Sequence, residues 1–115
     1  MFSPLLFYKC LADETRLKCL MLLQSEGELC VCELIEATGE SQPKVSRHLA
    51  QLRQCGLLID RRQGQWVYYS IDPNLPGWVK KVLAETTLSN PLFLGDCLNK
   101  LSCMSGRPKR ATACC

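Results

Sequence analysis

Ser41-Gln42-Pro43-Lys44-Val45-Ser46-Arg47-His48-Leu49, continued by Ala50-Gln51-Leu52-Arg53-Gln54-Cys55-Gly56, reads as a single amphipathic helix with its start and stop signals in place. Ser41 supplies the N-cap, and Pro43 is tolerated because the first turn has no intrahelical partner for the missing N–H. The helix runs to about Cys55 and ends at Gly56. Val45, Leu49 and Leu52 recur at steps of four and three and form the inward stripe. Gln42, Lys44, Ser46, Arg47, Gln51 and Gln54 are left outward, a short, polar and basic face.

Upstream, about Leu29 to Thr38 forms a shorter helix, stopped by Gly39 where a left-handed C-cap is favoured. Two short helices joined by a tight turn containing Gly fit a helix-turn-helix, whose second helix enters the major groove N-terminus first. The expected DNA-contacting residues on it are Ser41, Gln42, Lys44, Ser46, Arg47 and His48. His48 is the chain's only histidine and borders the apolar stripe, so a packed or phosphate-contacting imidazole is expected.

Downstream, Leu57 to Ile71 changes to strand, turn and strand, with the turn expected at Gln63-Gly64 and β-branched and aromatic residues on either side. A hairpin after a recognition helix is a wing. Arg61, Arg62 and Gln63 at its tip are expected at the DNA backbone or minor groove. Helices are expected over Leu5–Ala12, from the cap Asp13 to about Gln24, and over about Gly77–Ser89, with a second apolar piece over Leu92–Leu101. One small winged domain cannot bury the apolar faces of both the first and the last helix, so a homodimer through them is expected, with the two recognition helices about 34 Å apart. The fold class is therefore mainly α with a β-hairpin wing. Residues 1–101 are expected to form the domain and 102–115 a flexible tail bearing cysteines.

The chain has 115 residues, enough for one modest core, and a net charge of +3. Charge distribution says more: Glu26, Glu28, Glu33, Glu36 and Glu40 are acidic without a basic neighbour, whereas Lys44, Arg47, Arg53, Arg61 and Arg62 face only Asp60. The basic half is where phosphates would be met. Nine cysteines in so short a chain would suit a secreted disulfide scaffold, but the count is odd and no basic leader opens the sequence. Reduced cytoplasmic thiols are the expectation, and no apolar run approaches the roughly 20 residues a membrane span needs. No nucleophile, base and orienter occur together and no Gly-rich phosphate loop is present, so no enzyme is expected. One histidine also excludes the usual mixed-histidine zinc sites within one chain.

Cys30-Val31-Cys32 lies at the start of the first helix of the motif, so whatever binds sulfur there sits beside the element that reads DNA. Near a helix N-terminus a thiol ionises more easily, and the thiolate is the binding species; Glu28 and Glu33 oppose this. Residues i and i+2 of an ideal helix point about 200° apart, so both sulfurs can grip one atom only if the first turn distorts or is already irregular.

Leu11-Ala12-Asp13-Glu14-Thr15-Arg16, Glu28-Leu29-Cys30-Val31-Cys32-Glu33-Leu34, Ser41 to Leu49 and Gly64-Gln65-Trp66-Val67-Tyr68-Tyr69 resemble the ArsR family of dimeric winged-helix repressors, in its arsenic-responsive type, over about residues 5 to 88. The resemblance implies a repressor that leaves operator DNA when As(III) or Sb(III) binds Cys30 and Cys32. Where such motifs often carry a third cysteine one turn further on, this chain has Ile35. The third ligand is then Cys97, Cys103, Cys114, Cys115, an external thiol, or none. Cys10, Cys19 and Cys55 are expected to pack as small apolar side chains. The alternative is a redox-sensing repressor of the same fold, using Cys30 and Cys32 or Cys114 and Cys115.

Overall fold

The computed structural model describes residues 2–104 and Arg107. In chain order it has α1 (Pro4–Leu11), α2 (Glu14–Glu26), β1 (Glu28–Cys30), α3 (Val31–Thr38), α4 (Gln42–Gln54), β2 (Leu58–Gln63), β3 (Trp66–Ile71), α5 (Gly77–Ser89), α6 (Pro91–Leu94) and α7 (Cys97–Cys103). The helix-turn-helix is α3 and α4, and the wing is the β2–β3 hairpin.

Local chemistry sets these boundaries. The Ser41 hydroxyl accepts from Lys44 N–H at 3.3 Å, and the Asp13 carboxylate accepts from Arg16 N–H at 3.0 Å, capping α4 and α2. That N–H, aided by the charges of His48 and Arg16 against a partial desolvation, holds the Asp13 carboxyl below its ordinary value. A carboxyl with a depressed folded-state pKa stabilises the fold above its unfolded pKa and loses that contribution as acidification passes the folded one. Gly39 ends α3 in the left-handed conformation at φ 73°, its N–H bonded to Ile35 O at 2.9 Å.

The core is a single cluster in which Leu20, Leu22, Leu34, Leu49 and Leu52 are fully buried. Each contributes about 1.5–3 kcal/mol of apolar burial. The inward stripe of α4 is Val45, Leu49 and Leu52, as its spacing predicts, with His48 added. Phe7 of α1 meets the Trp78 ring of α5 edge-on, centroids 5.2 Å apart, so the first and fifth helices lie together.

Three features differ from the sequence expectations. Glu28–Cys30 is a strand, which makes a three-stranded antiparallel sheet of order β1-β3-β2. Three residues are too few to show a period, and the strand exists because β3 offers a partner edge. The hairpin turn is Gly64-Gln65, one residue later than expected, with Gln63 paired to Trp66 and Gly64 at φ 61°, a sign that favours glycine in a two-residue turn. Helix α7 continues through Ser102 and Cys103, past the expected domain end at Leu101. Of the expected tail, only 102–104 and Arg107 are described, and Cys114 and Cys115 lie outside the described residues.

Candidate functional site

Cys30 is the last residue of β1 and the N-cap of α3, at φ −85° and ψ 166°, and Cys32 is the second residue of that helix. The pair thus straddles a strand-to-helix junction rather than lying within a regular turn. Of the two geometries open to an i, i+2 pair, this is the already irregular one. The Cα atoms are 5.5 Å apart, and the structure joins the two sulfurs. Cys30 is 1% exposed and Cys32 is half-buried.

The buried Glu33 carboxylate fixes that junction, accepting the Cys30 backbone N–H at 2.9 Å. Arg107 Nε donates to its other oxygen at 2.5 Å. Arg61 donates to both oxygens of Glu28, at 2.6 and 2.7 Å, as a two-pronged pair. The two carboxylates that oppose thiolate formation are therefore each held by a guanidinium.

A cleft of about 530 Å³ opens beside the pair. From the β1–α3 junction and α3 it is lined by Cys30, Cys32 and Ile35, from α4 by Gln42, Ser46, Ala50 and Arg53, and from the wing by Arg62, Trp66 and Tyr69. Gln42, Ser46, Ala50 and Arg53 recur at steps of four, four and three and make one helix face. Arg53 was not among the expected contacts, although that spacing marks it; its Nη1 donates to Asp60 at 3.2 Å.

The expected DNA-contacting residues divide into groups. Ser41, Gln42, Ser46 and Arg47 are exposed, and Lys44 is half-exposed with its ammonium 3.1 Å from Glu40. His48 is 6% exposed and turned inward, Nδ1 lying 3.2 Å from Arg16 Nη1 and Nε2 3.7 Å from the Asp13 carboxylate. It secures α4 to α2. Strand alternation separates the wing residues. Arg61 also donates to Gln63 Oε1 at 2.7 Å and lies over the Tyr68 ring at 4.5 Å, whereas Arg62 lines the cleft.

Register couples the thiols to the wing. Tyr68 of β3 is paired with Cys30 on one side and Arg61 on the other, so all three share a rung of the sheet. Cys30 therefore adjoins both α3, which packs on α4, and β3 of the wing.

The other cysteines fall into distinct settings. Cys19 is fully buried, and desolvation, reinforced by the charges of Cys97 and Asp13, pushes its thiol up to about 12. It packs as expected. Iodoacetamide at neutral pH is expected to spare Cys19 in the folded chain while labelling the exposed Cys103, as read by peptide mass mapping. Cys10 and Cys55 pack with the core as expected, and the structure also brings their sulfurs together, from the last turn of α1 and the C-cap of α4, with the Cα atoms 7.3 Å apart. Helix α7, which carries Cys97 and Cys103, packs on α3, and among the described residues no group of three or more His, Cys, Asp or Glu gathers as a metal site.

Comparison with known proteins places this geometry. Residues 13–60 match the model of the bacterial regulatory protein arsR family. The chain is 53% identical, over the whole of both chains, to the arsenic resistance transcriptional regulator ArsR2 of Pseudomonas putida. It is 55% identical over 82 residues, 71% of this chain and 70% of the relative, to the arsenical resistance operon repressor of Escherichia coli. The crystal structure of the AntR antimony-specific transcriptional repressor superposes with a TM-score of 0.62 at 29% identity, covering 77% of this chain and 82% of that one. The chain belongs to the arsR family, transcriptional regulators rather than enzymes, and α3, α4 and the wing form its DNA-binding winged helix-turn-helix.

Proposed function

We propose that the protein is a cytoplasmic arsenite- and antimonite-responsive repressor that binds operator DNA as a homodimer and leaves it when As(III) or Sb(III) binds Cys30 and Cys32. The observation that carries this reading is the shared cleft, lined at once by the sulfur pair, the Gln42–Arg53 face of α4 and Arg62 of the wing. Residues Ser41, Gln42, Lys44, Ser46 and Arg47 meet bases and phosphates from α4, and Arg62 meets the backbone from the wing. Arg61 and Gln63, exposed on the other side of the wing, meet the backbone beside it, and His48 supports α4 from within the protein. The domain runs from α1 through α7, and its spare apolar surface on Leu5, Leu6 and Tyr8 of α1 and Leu88 of α5 forms the dimer contact.

Trivalent arsenic enters as a hydroxide. Each As–S bond that forms replaces an As–O bond and releases one water, the thiol proton leaving with the hydroxide. Two such exchanges need both cysteines reduced. One arsenic atom bonded to both sulfurs fixes their separation, which the reduced thiols leave free, and that tilts α3 against α4 and shifts the rung that Cys30 shares with Tyr68 and Arg61. The two reading heads of the dimer then no longer match the DNA period.

Linkage makes the test strict, because DNA must weaken arsenite binding by the factor with which arsenite weakens DNA binding, in the range of about 5–150-fold. Arsenite titrations with and without a DNA fragment from upstream of the protein's own gene measure one side, and DNA titrations the other. Equal arsenite affinities in the two cases would refute the reading.

The joined sulfurs of Cys30 and Cys32 support a second reading, a repressor released by oxidation of that pair. It predicts release by peroxide without any metalloid.

A further inference from the structure

Cys10 and Cys55 stand apart from the metalloid site. Cys10 lies on the inner side of α1, 6% exposed, and Cys55 is the C-cap of α4, half-buried. Their sulfurs face each other although 45 positions separate them in sequence, with Cα atoms 7.3 Å apart, so that closing the bond draws α1 toward the foot of α4. A second cleft of about 350 Å³, lined by Leu6, Lys9, Arg16 and Gln54 as well as the two cysteines, opens onto them. Arg16 braces the place, donating from Nε to Cys10 O at 2.8 Å and from Nη1 to Gln51 Oε1 at 3.0 Å. One guanidinium thus spans α1 and α4 beside the sulfurs. Solvent access, two neighbouring cations and a partner thiol are what a redox-active cysteine requires, and the buried Cys19 has none of this access.

We propose that Cys10 and Cys55 form a second, redox-active dithiol whose disulfide tethers α1 to the foot of the DNA-reading helix. Cys55, the more accessible, attacks hydrogen peroxide as thiolate. An S–O bond forms, the O–O bond breaks, and the departing hydroxide takes a proton to become water. Cys10 then attacks the sulfenic sulfur of Cys55, the S–S bond forms, the S–O bond breaks, and a second water leaves. Two thiols and one peroxide give one disulfide and two waters, the sulfurs losing two electrons. The tether sets the angle between the helix offered to a second copy and the helix offered to DNA. Binding then no longer has to order that angle, and the oxidised chain holds DNA more tightly.

The proposal does not depend on metalloid sensing, and the full-length Cys30→Ser/Cys32→Ser chain tests it without interference from the other pair. After peroxide and alkylation, peptide mapping is expected to find Cys10 linked to Cys55, with dithiothreitol reversing the link. Closing a loop of this length restricts the unfolded chain, so reduction is expected to lower the melting midpoint by at least about 5 °C. Oxidised protein is expected to bind the upstream DNA fragment about five-fold more tightly than reduced protein. Adding Cys55→Ser removes all three effects of oxidation. Free Cys10 and Cys55 peptides in folded, peroxide-treated chain, linkage of either to another cysteine, or a linked form with the midpoint and DNA affinity of the reduced one would each overturn the proposal. The oxidised-against-reduced comparison needs no change at Cys10 or Cys55, so it stands even where Cys55→Ser folds poorly.

Discussion

With Cys30→Ser and Cys32→Ser in place, the chain is expected to stay on its operator at arsenite concentrations that strip the native protein from it. Serine keeps the size and the N-capping position, so α3 still begins at residue 31 and the Gln42–Arg53 face is undisturbed. What disappears is the soft donor, since a hydroxyl does not ionise near neutrality and binds a thiophilic ion poorly. A hydroxyl at the buried position 30 costs about 1 kcal/mol of stability, too little to unfold a domain of this size. By fluorescence anisotropy under reducing conditions, the native apparent affinity for DNA is expected to fall about 10–100-fold with arsenite, and that of the double variant to stay constant. Equal release from both chains would move the site to Cys97, Cys103, Cys114 or Cys115. Failure of both to bind DNA would remove the repressor reading itself.

Ile35→Cys is expected to act in the opposite direction and to raise arsenite affinity about a hundred-fold, the low end for a tethered additional contact. Ile35 is three residues beyond Cys32, one turn along α3, and lines the same cleft. Trivalent arsenic favours three sulfurs, and a thiol at 35 would supply the third from within the chain in place of an external one. The DNA-free affinity is the quantity to measure, by competition with a dithiol of known strength, with and without glutathione. In the native chain glutathione is expected to assist binding, and in Ile35→Cys it is expected to have no effect. An unchanged affinity would mean that the third sulfur approaches from another side of the cleft.

The reading helix was the most legible part of the molecule. Ser41, Pro43 and Gly56 are local signals whose meaning does not depend on the rest of the chain, and Val45, Leu49 and Leu52 repeat often enough to reveal a buried face. The strand Glu28–Cys30 was not legible, because three residues acquire strand character only when β3 lies alongside. For the same reason the geometry of Cys30 and Cys32 was left between two possibilities. The partition of Arg61 and Arg62 to opposite sides of the wing needs the hairpin register, which a one-residue error in the turn reverses. His48 was left between packing and phosphate contact because one helix alone does not reveal Arg16 and Asp13 behind it. The joining of Cys10 to Cys55 across 45 positions is a property of tertiary packing alone.

The placement of Cys30 and Cys32 on a ready-made bend also bears on how quickly and at what threshold the protein responds. Two cysteines inside a regular helix would first have to wait for the helix to fray, and every encounter with a ligand would be discounted by the rarity of the frayed state. Here the backbone already holds both sulfurs to one side of the junction, kept there by the Glu33 carboxylate on the Cys30 N–H. No such discount applies to a chain with reduced thiols. Under the proposed mechanism, the concentration at which the protein leaves DNA is then set by sulfur chemistry and by competition with DNA, and the delay by the arrival and ligand exchange of the metalloid rather than by a slow opening of the protein.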